Sequence, residues 1–73
     1  MKRVERLAEF PKNCLVAQFL GKGYDDAVHN AEEWQKNTGN TCHSYFEQKL
    51  ITQWHSIIVH YTLKENEDGI SII

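Results

Sequence analysis

The sequence predicts an α+β fold in which one helix packs on a small sheet of three or four mainly antiparallel strands, in the order strand, helix, strand, strand. Three observations support it. A short apolar run begins at Cys14, a segment with helical periodicity comes next, and a stretch dense in β-branched and aromatic residues ends at Leu63. The 73 residues suffice for a single small domain, whose folded state is marginally stable unless a metal, disulfides or a partner subunit is added.

The first ten residues fit either a helix or a strand. Val4, Leu7 and Phe10 have the spacing of one helical turn, whereas Val4, Ala8 and Phe10 lie on one face of a strand. Pro11 separates this segment from the next apolar run.

The segment CLVAQFL, residues 14–20, predicts the first strand. It is short and largely apolar, and Gly21 and Gly23 close it. Because polar positions are rare in it, we expect burial on both faces, which is typical of a central strand.

The segment YDDAVHNAEEWQKNTGN, residues 24–40, predicts the helix. We expect Asp25 or Asp26 to cap its first turn, because a short carboxylate accepts hydrogen bonds from the free N–H groups there. Gly39 suits the left-handed residue that ends a helix. The helical spacing predicts that the buried face consists of Tyr24, Ala27, Val28, Ala31 and Trp34.

Residues 43–51 and 54–63 predict two further strands. A competing interpretation makes residues 42–54 a helix, with apolar side chains at intervals of four. We prefer the strands, because the first alternates and the second is rich in β-branched and aromatic residues.

The two ends, residues 1–12 and 65–73, are expected to be flexible or to contact another subunit. Asp68 and Gly69 form a favoured turn pair. An added strand after this turn, within this chain or paired with another, would be formed by Ile70, Ile72 and Ile73.

The last long strand predicts an interface. One of its faces should meet the helix, with His55, Ile57, Val59, Tyr61 and Leu63. The other face carries Trp54, Ser56, Ile58, His60 and Thr62, and an uncovered apolar patch of this kind marks an interaction site. In the alternative interpretation, the N-terminal segment covers this face within one chain.

We therefore expect a protein that binds other proteins without catalysis. It would form a homo-oligomer and bind a larger protein, as an accessory or inhibitory protein of a phage or bacterium. The predicted interface comprises Tyr45, Trp54, Ile58 and His60, with Ile70, Ile72 and Ile73 as the added strand.

The alternative function is a ligand-binding oligomer that sequesters a small anionic molecule, such as a nucleotide signal, between subunits. Positive charge and stacking would come from Arg6, Lys22, Tyr24, Trp34 and Lys49.

Metal binding and catalysis are not expected, and no cofactor is implied. His55 and His60 are five apart, so on a strand they point to opposite faces and cannot share an ion. A catalytic cysteine would need a histidine base and an orienting group, and neither Cys14 nor Cys42 has these locally. We therefore expect no enzymatic activity.

The composition limits which partners the protein can bind and in which cellular compartment we expect it. A net charge of −2 provides no basic footprint for nucleic acid. No apolar run approaches the length of a membrane span, and the basic start lacks the apolar stretch of a signal peptide. With only two cysteines, the chain does not resemble a small disulfide-stabilised secreted domain. We therefore expect a cytoplasmic protein.

The pattern VAQFLGKGYDDAVHNAEEW…SYFEQKLITQWHSIIVHYTL resembles small sporulation-associated and phage-encoded proteins of bacilli. The resemblance covers residues 14–64 and is carried by Trp34 at the end of the helix and by WHSIIVHY, from Trp54 to Tyr61. It implies a strand, an acidic helix and two further strands, and it brings no catalytic motif with it.

Overall fold

The computed structural model describes residues 1–64 and contains one helix and a four-stranded mixed sheet, which confirms the predicted α+β class. The order of elements is β1 (Lys2–Val4), a 3₁₀ turn (Leu7–Glu9), β2 (Leu15–Lys22), α1 (Tyr24–Thr38), β3 (Thr41–Lys49) and β4 (Trp54–Thr62).

Across the sheet the strands lie in the order β1-β3-β4-β2. The sheet is mixed because β1 runs parallel to β3, while the other two pairings are antiparallel. The strand predicted at residues 70–73 lies outside the described residues.

The prediction that the first long apolar segment forms a central strand is wrong. β2 lies at an edge of the sheet, and β4 takes the central place between β3 and β2. Leu15, Val16 and Leu20 are about half exposed, at 45%, 51% and 47%. An apolar run indicates that a strand favours burial, whereas the position of that strand depends on which later strand inserts beside it.

Helix α1 begins one residue before the predicted caps. Its N-cap is Gly23, with φ of 100° and no side-chain hydrogen bond, so neither Asp25 nor Asp26 caps it. Both aspartates lie in the first turn, where their charge favours the positive end of the helix dipole. Gly39 ends the helix in the left-handed conformation, as predicted, and its N–H donates to the carbonyl of Gln35 at 2.8 Å.

The core lies between α1 and the strands β2 and β4. Ala27 and Ala31 of the helix are buried against Ile57 and Val59 of β4, which are fully buried. The small alanine side chains let the helix approach closely, and a Cβ at Gly21 would lie only 2.7 Å from the backbone carbon of Asp26. The predicted division of β4 into a helix-side face and an opposite face is therefore confirmed at its centre.

Two further predicted residues of the helix face, Val28 and Trp34, are partly buried. The Trp34 ring packs on Phe19, 5.2 Å between centroids, and edge-on to Tyr61 at 4.8 Å. Tyr24, the remaining predicted residue of this face, is 38% exposed. Within residues 1–64, no helix is long and apolar enough to cross a membrane.

The competing interpretation of residues 42–54 as a helix is wrong, because β3 pairs with β4 over its length. The ladder shifts register once, between Cys42 and Ser44. An extra residue in one strand turns its side chain to a new direction. In consequence, Cys42 packs towards the helix side and His43 contacts the opposite side.

The N-terminal residues contain an extended segment and a helical turn, the two alternatives that their sequence allows. Residues 2–4 form β1, and a short 3₁₀ turn comes after it. The side chain of Glu9 closes this turn by accepting hydrogen bonds from the backbone N–H groups of Glu5 and Arg6. Val4 is 7% exposed and belongs to the core, so the sheet holds the start of the chain in place.

Candidate functional site

The candidate site is the side of the sheet that α1 does not cover, which we call the open face. Its residues follow from strand alternation and the observed register. They are Lys2 and Val4 from β1, Val16, Gln18, Leu20 and Lys22 from β2, Ser44, Phe46 and Gln48 from β3, and Trp54, Ser56, Ile58, His60 and Thr62 from β4.

Exposed apolar side chains concentrate along one half of the open face. Val16 and Leu20 of β2 are about half exposed, and Trp54 of β4 is 42% exposed. Ile58 and Phe46, next to one another across β4 and β3, are partly buried. A small monomeric protein has little reason to expose such side chains together unless something else covers them.

The polar groups at the centre of this face are already satisfied. Ser56 is fully buried, and its hydroxyl accepts a hydrogen bond from the side-chain amide of Gln18 at 2.8 Å. No buried side-chain polar atom among the described residues lacks a partner. The face therefore offers apolar contact and little unsatisfied hydrogen bonding.

The N-terminal segment covers part of the open face at His60, near the end farthest from Trp54. The Phe10 ring lies 5.9 Å from the ring of His60, and the ring of His43 lies 4.9 Å from it. The hydroxyl of Ser44 is 3.4 Å from Nδ1 of His60. Coverage within one chain is thus partial: it reaches His60 and leaves Trp54 and Leu20 exposed.

The fixed charge on the open face is positive. Its charged residues are Lys2 of β1 and Lys22 of β2, and the Lys22 ammonium lies 5.9 Å from the centre of the Trp54 ring. A shallow cleft of about 650 Å³ lies beside this ring, lined by Lys49, Leu50, Ile51 and Trp54. This corner combines an aromatic surface with nearby cations.

The predicted interface residues divide between the two sides of the sheet. Trp54, Ile58 and His60 share the open face. Tyr45 lies on the helix side, where its partner in β4 is Val59. Ile70, Ile72 and Ile73 lie outside the described residues.

Val16 and Leu20 belong to the open face but are absent from the predicted interface. Their apolar character is visible in the sequence, where it predicts burial in a central strand. One signal in the sequence could have found them. Strand alternation places Val16, Gln18 and Leu20 on the same face of β2, and the polar Gln18 between two apolar residues is not typical of a central strand that is buried on both faces.

A polar cluster lies on the helix side, over β3 and the start of β4. The hydroxyls of Tyr24 and Tyr45 are 3.1 Å apart. The Glu47 carboxylate lies 3.5 Å from the Arg3 guanidinium and 3.7 Å from Nε2 of His55. These contacts join β1, β3, β4 and the start of α1.

The electrostatics of this cluster argue against acid–base chemistry by Tyr24. The hydrogen bond with Tyr45, then burial and the nearby phenol and Glu47 carboxylate, raise the pKa of Tyr24 to about 12. At neutral pH this phenol is protonated and hydrogen-bonded, so its contact with Tyr45 joins the helix start to β3.

The five residues of the predicted anionic-ligand site are not gathered in one place. Lys22 lies on the open face beside Trp54, and Lys49 lines the neighbouring cleft. Trp34 packs between Phe19 and Tyr61, Tyr24 binds Tyr45, and Arg6 precedes the 3₁₀ turn.

His55 and His60 lie on opposite sides of the sheet. His55 contacts Glu47 on the helix side, and His60 contacts His43 on the open face. In residues 1–64, no three histidine, cysteine or acidic side chains come together as a metal site would need. Both cysteines are free thiols, and burial raises the pKa of Cys42, which keeps it protonated and poorly nucleophilic.

Comparisons with protein-family models, with curated proteins and with solved structures gave no match to this chain.

Proposed function

We propose that this protein is a non-enzymatic binding module that buries its open face against protein. Its partners would be further copies of itself, in a homo-oligomer, and a larger protein. The observation that carries the proposal is the grouping of Val16, Leu20 and Trp54, all 42–51% exposed, on the side of the sheet that α1 leaves uncovered.

The small core supports this proposal. Among the described residues, the buried apolar side chains are Val4, Ala27, Ala31, Ile57 and Val59, and two of these are alanines. Burial of apolar area is the main favourable contribution to folding, and small domains commonly gain it through oligomerisation. Association would therefore add stability as well as function.

The wider role is inferred from size and chemistry. A short chain with an apolar sheet face and, among its described residues, no assembled catalytic group suits an accessory or inhibitory protein of a phage or bacterium. Its two free thiols suit a reducing cytoplasm.

Light scattering after size exclusion tests the proposal. We expect a mass above that of one 8.5 kDa chain, and we expect Leu20→Gln to weaken association without unfolding the protein, because Leu20 is 47% exposed. The matched control is Leu63→Gln, which changes a 65% exposed leucine beyond the end of β4. A monomer at high concentration, or equal effects of both variants, would contradict the proposal.

A second candidate function is the binding of a small anionic molecule with an aromatic ring. The observation that favours it is the corner formed by Lys22, Trp54 and the adjacent cleft, where a ring can stack on the indole while an ammonium faces the anion. In an oligomer this corner would lie between subunits, where such a ligand could be sequestered.

Thermal shift with a panel of nucleotides tests this candidate, because a ligand that binds the folded state raises the melting temperature. Lys22→Gln should abolish the shift, and Lys12→Gln, which lies away from Trp54 in the 3₁₀–β2 connection, should keep it. A panel without any shift would exclude nucleotides as ligands of this corner.

A further inference from the structure

The outer edge of β2 carries unpaired backbone N–H and C=O groups. The hydrogen-bond pattern of the sheet shows which residues they belong to. The N–H of Leu50 donates to the carbonyl of Trp54 at 2.8 Å, so the backbone polar groups of Trp54 point towards β3. This direction alternates along an antiparallel strand. His55, Ile57, Val59 and Tyr61 therefore point towards β2.

The register of β2 against β4 then divides the residues of β2. Ala17 pairs with Val59 and Phe19 with Ile57, so the backbone groups of Ala17 and Phe19 point inward. Those of Val16, Gln18 and Leu20 consequently point outward, away from the sheet. An independent contact agrees: the side-chain amide of Asn30 donates to the carbonyl of Leu20 at 2.7 Å.

Asn30 thereby occupies the outward carbonyl of Leu20 and, among the described residues, leaves the outward backbone groups of the preceding residues of β2 without a partner. Within the described part of the chain, the outward backbone groups of Val16 and Gln18 have no hydrogen-bond partner. From Leu15 to Gly21 the strand has no charged residue and no proline. Natural edge strands normally carry a charged residue or a proline, which hinders pairing with another strand. The other edge, β1, is only three residues long and carries Lys2 and Arg3.

We propose that β2 pairs antiparallel with β2 of a second copy, across a two-fold axis at Ala17. This inference rests on the proposed self-association and adds to the open face a second contact between copies, the edge of β2, with a defined register. In this register, Val16 of each copy exchanges two backbone hydrogen bonds with Gln18 of the other. All the open groups of Val16 and Gln18 are then used, and the bond from Asn30 to Leu20 stays intact.

The neighbouring register, centred on Gln18, fits less well. It would set Val16 opposite Leu20 of the second copy, whose carbonyl already accepts from Asn30. The register centred on Ala17 instead brings Leu15, which is 45% exposed on the helix side, opposite Phe19 of the second copy. It therefore buries an apolar side chain that a single chain leaves in water.

The two helices would lie side by side on one face of the joined sheet. With strands 4.7–4.9 Å apart and each helix over β2 and β4, the helix axes would be about 10 Å apart, near the spacing of packed helices. Asp26 and Glu33 share the flank of α1 that carries Asn30, because they lie four residues before and three after it. Like charges then face each other, so we expect association to tighten as salt screens them.

Proline at position 16 tests the pairing. Val16→Pro removes an outward N–H without removing a bond to β4, and proline is tolerated at such edge positions. We expect Val16→Pro to lose the β2-paired species in light scattering. Its dissociation constant for self-association should be at least about tenfold larger, which corresponds to about 1.4 kcal/mol of association free energy. The matched control, Val16→Ala, shortens the same side chain but keeps the N–H, and it should retain that species.

Two measurements keep the inference testable if Val16→Pro does not fold. In the native sequence, hydrogen exchange of the Val16 and Gln18 amides should slow as protein concentration rises, while the amides of Ala17 and Phe19 are slow throughout. In a Cys14→Ser, Cys42→Ser background, Ala17→Cys should form a disulfide-linked dimer when oxidised glutathione is added as the oxidant, because residues opposite each other in a non-hydrogen-bonded pair have Cα atoms about 4.5 Å apart.

The outcomes separate this inference from the proposed function. A native protein that is monomeric at all concentrations contradicts both. A native oligomer whose mass is the same in Val16→Pro, or whose Val16 and Gln18 amides exchange at rates independent of concentration, overturns the β2 pairing alone and leaves the open face as the site of association.

Discussion

At the residue scale, the contact between Tyr24 and Tyr45 joins the first residue of the helix to the middle of β3. Tyr24 begins α1, and Tyr45 lies in β3 and packs against the buried core. Their hydroxyls are 3.1 Å apart. The hydrogen bond with Tyr45 is the largest cause of the raised pKa of Tyr24, and burial and the nearby Tyr45 phenol and Glu47 carboxylate add to it.

Tyr45→Phe should lower the pKa of Tyr24 from about 12 towards its ordinary value of 10.0. The largest cause of the shift, the hydrogen bond, disappears with the Tyr45 hydroxyl. Absorbance of tyrosinate during an alkaline titration measures the change, and Tyr61→Phe, whose ring packs on Trp34 instead, is the control. An unchanged titration of Tyr24 in Tyr45→Phe would show that the hydroxyls do not interact.

The same raised pKa determines how stability depends on alkaline pH. Between pH 10 and pH 12 the folded state keeps the Tyr24 proton that the unfolded state has lost. The unfolded state therefore binds fewer protons, and stability falls as the pH rises through this range. In Tyr45→Phe this fall should be smaller.

At the element scale, β4 contributes most to the core. Ile57→Ala should lower the free energy of unfolding by about 2–5 kcal/mol, because it removes a fully buried side chain and leaves a cavity that the tight helix contact cannot fill. Urea titration measures the loss. Ile51→Ala, at a position 86% exposed in the β3–β4 connection, is the control, and its change should stay within about 0.5 kcal/mol. Equal losses would contradict this assignment of the core.

The elements themselves are largely predictable, because local periodicity determines them. The helix at 24–38, the strand β4 and the left-handed Gly39 all follow from neighbouring residues. Strand order is not predictable in this way, since it depends on pairings between residues about forty positions apart, such as Val16 with His60. The bulge near His43 is equally invisible in the sequence, because nothing local marks the extra residue.

The same distinction explains the outcome for the candidate site. Alternation within a single strand places Trp54, Ile58 and His60 on one face, and the structure agrees. Adding Val16 and Leu20 to that face requires knowing that β2 lies directly beside β4. The sequence also predicts Tyr45 at this interface, but its register in β3 turns it towards the helix.

At the scale of the whole molecule, the small core makes stability depend on association. We expect the melting temperature to rise with protein concentration, because mass action favours the folded state when only that state oligomerises. Scanning calorimetry over tenfold steps of concentration measures the effect. Leu20→Gln should flatten this dependence, and a melting temperature independent of concentration in the native protein would contradict it.

The central position of β4 also constrains when the protein can fold during its synthesis. β4 leaves the ribosome after β1, β2 and β3, yet it alone bridges β2 to the rest of the sheet. While translation proceeds, the helix can form early, but the apolar β2 remains an unpaired nascent segment. A growing chain is therefore most vulnerable to chaperone capture or mispairing with a neighbouring nascent chain just before its residues 54–62 emerge.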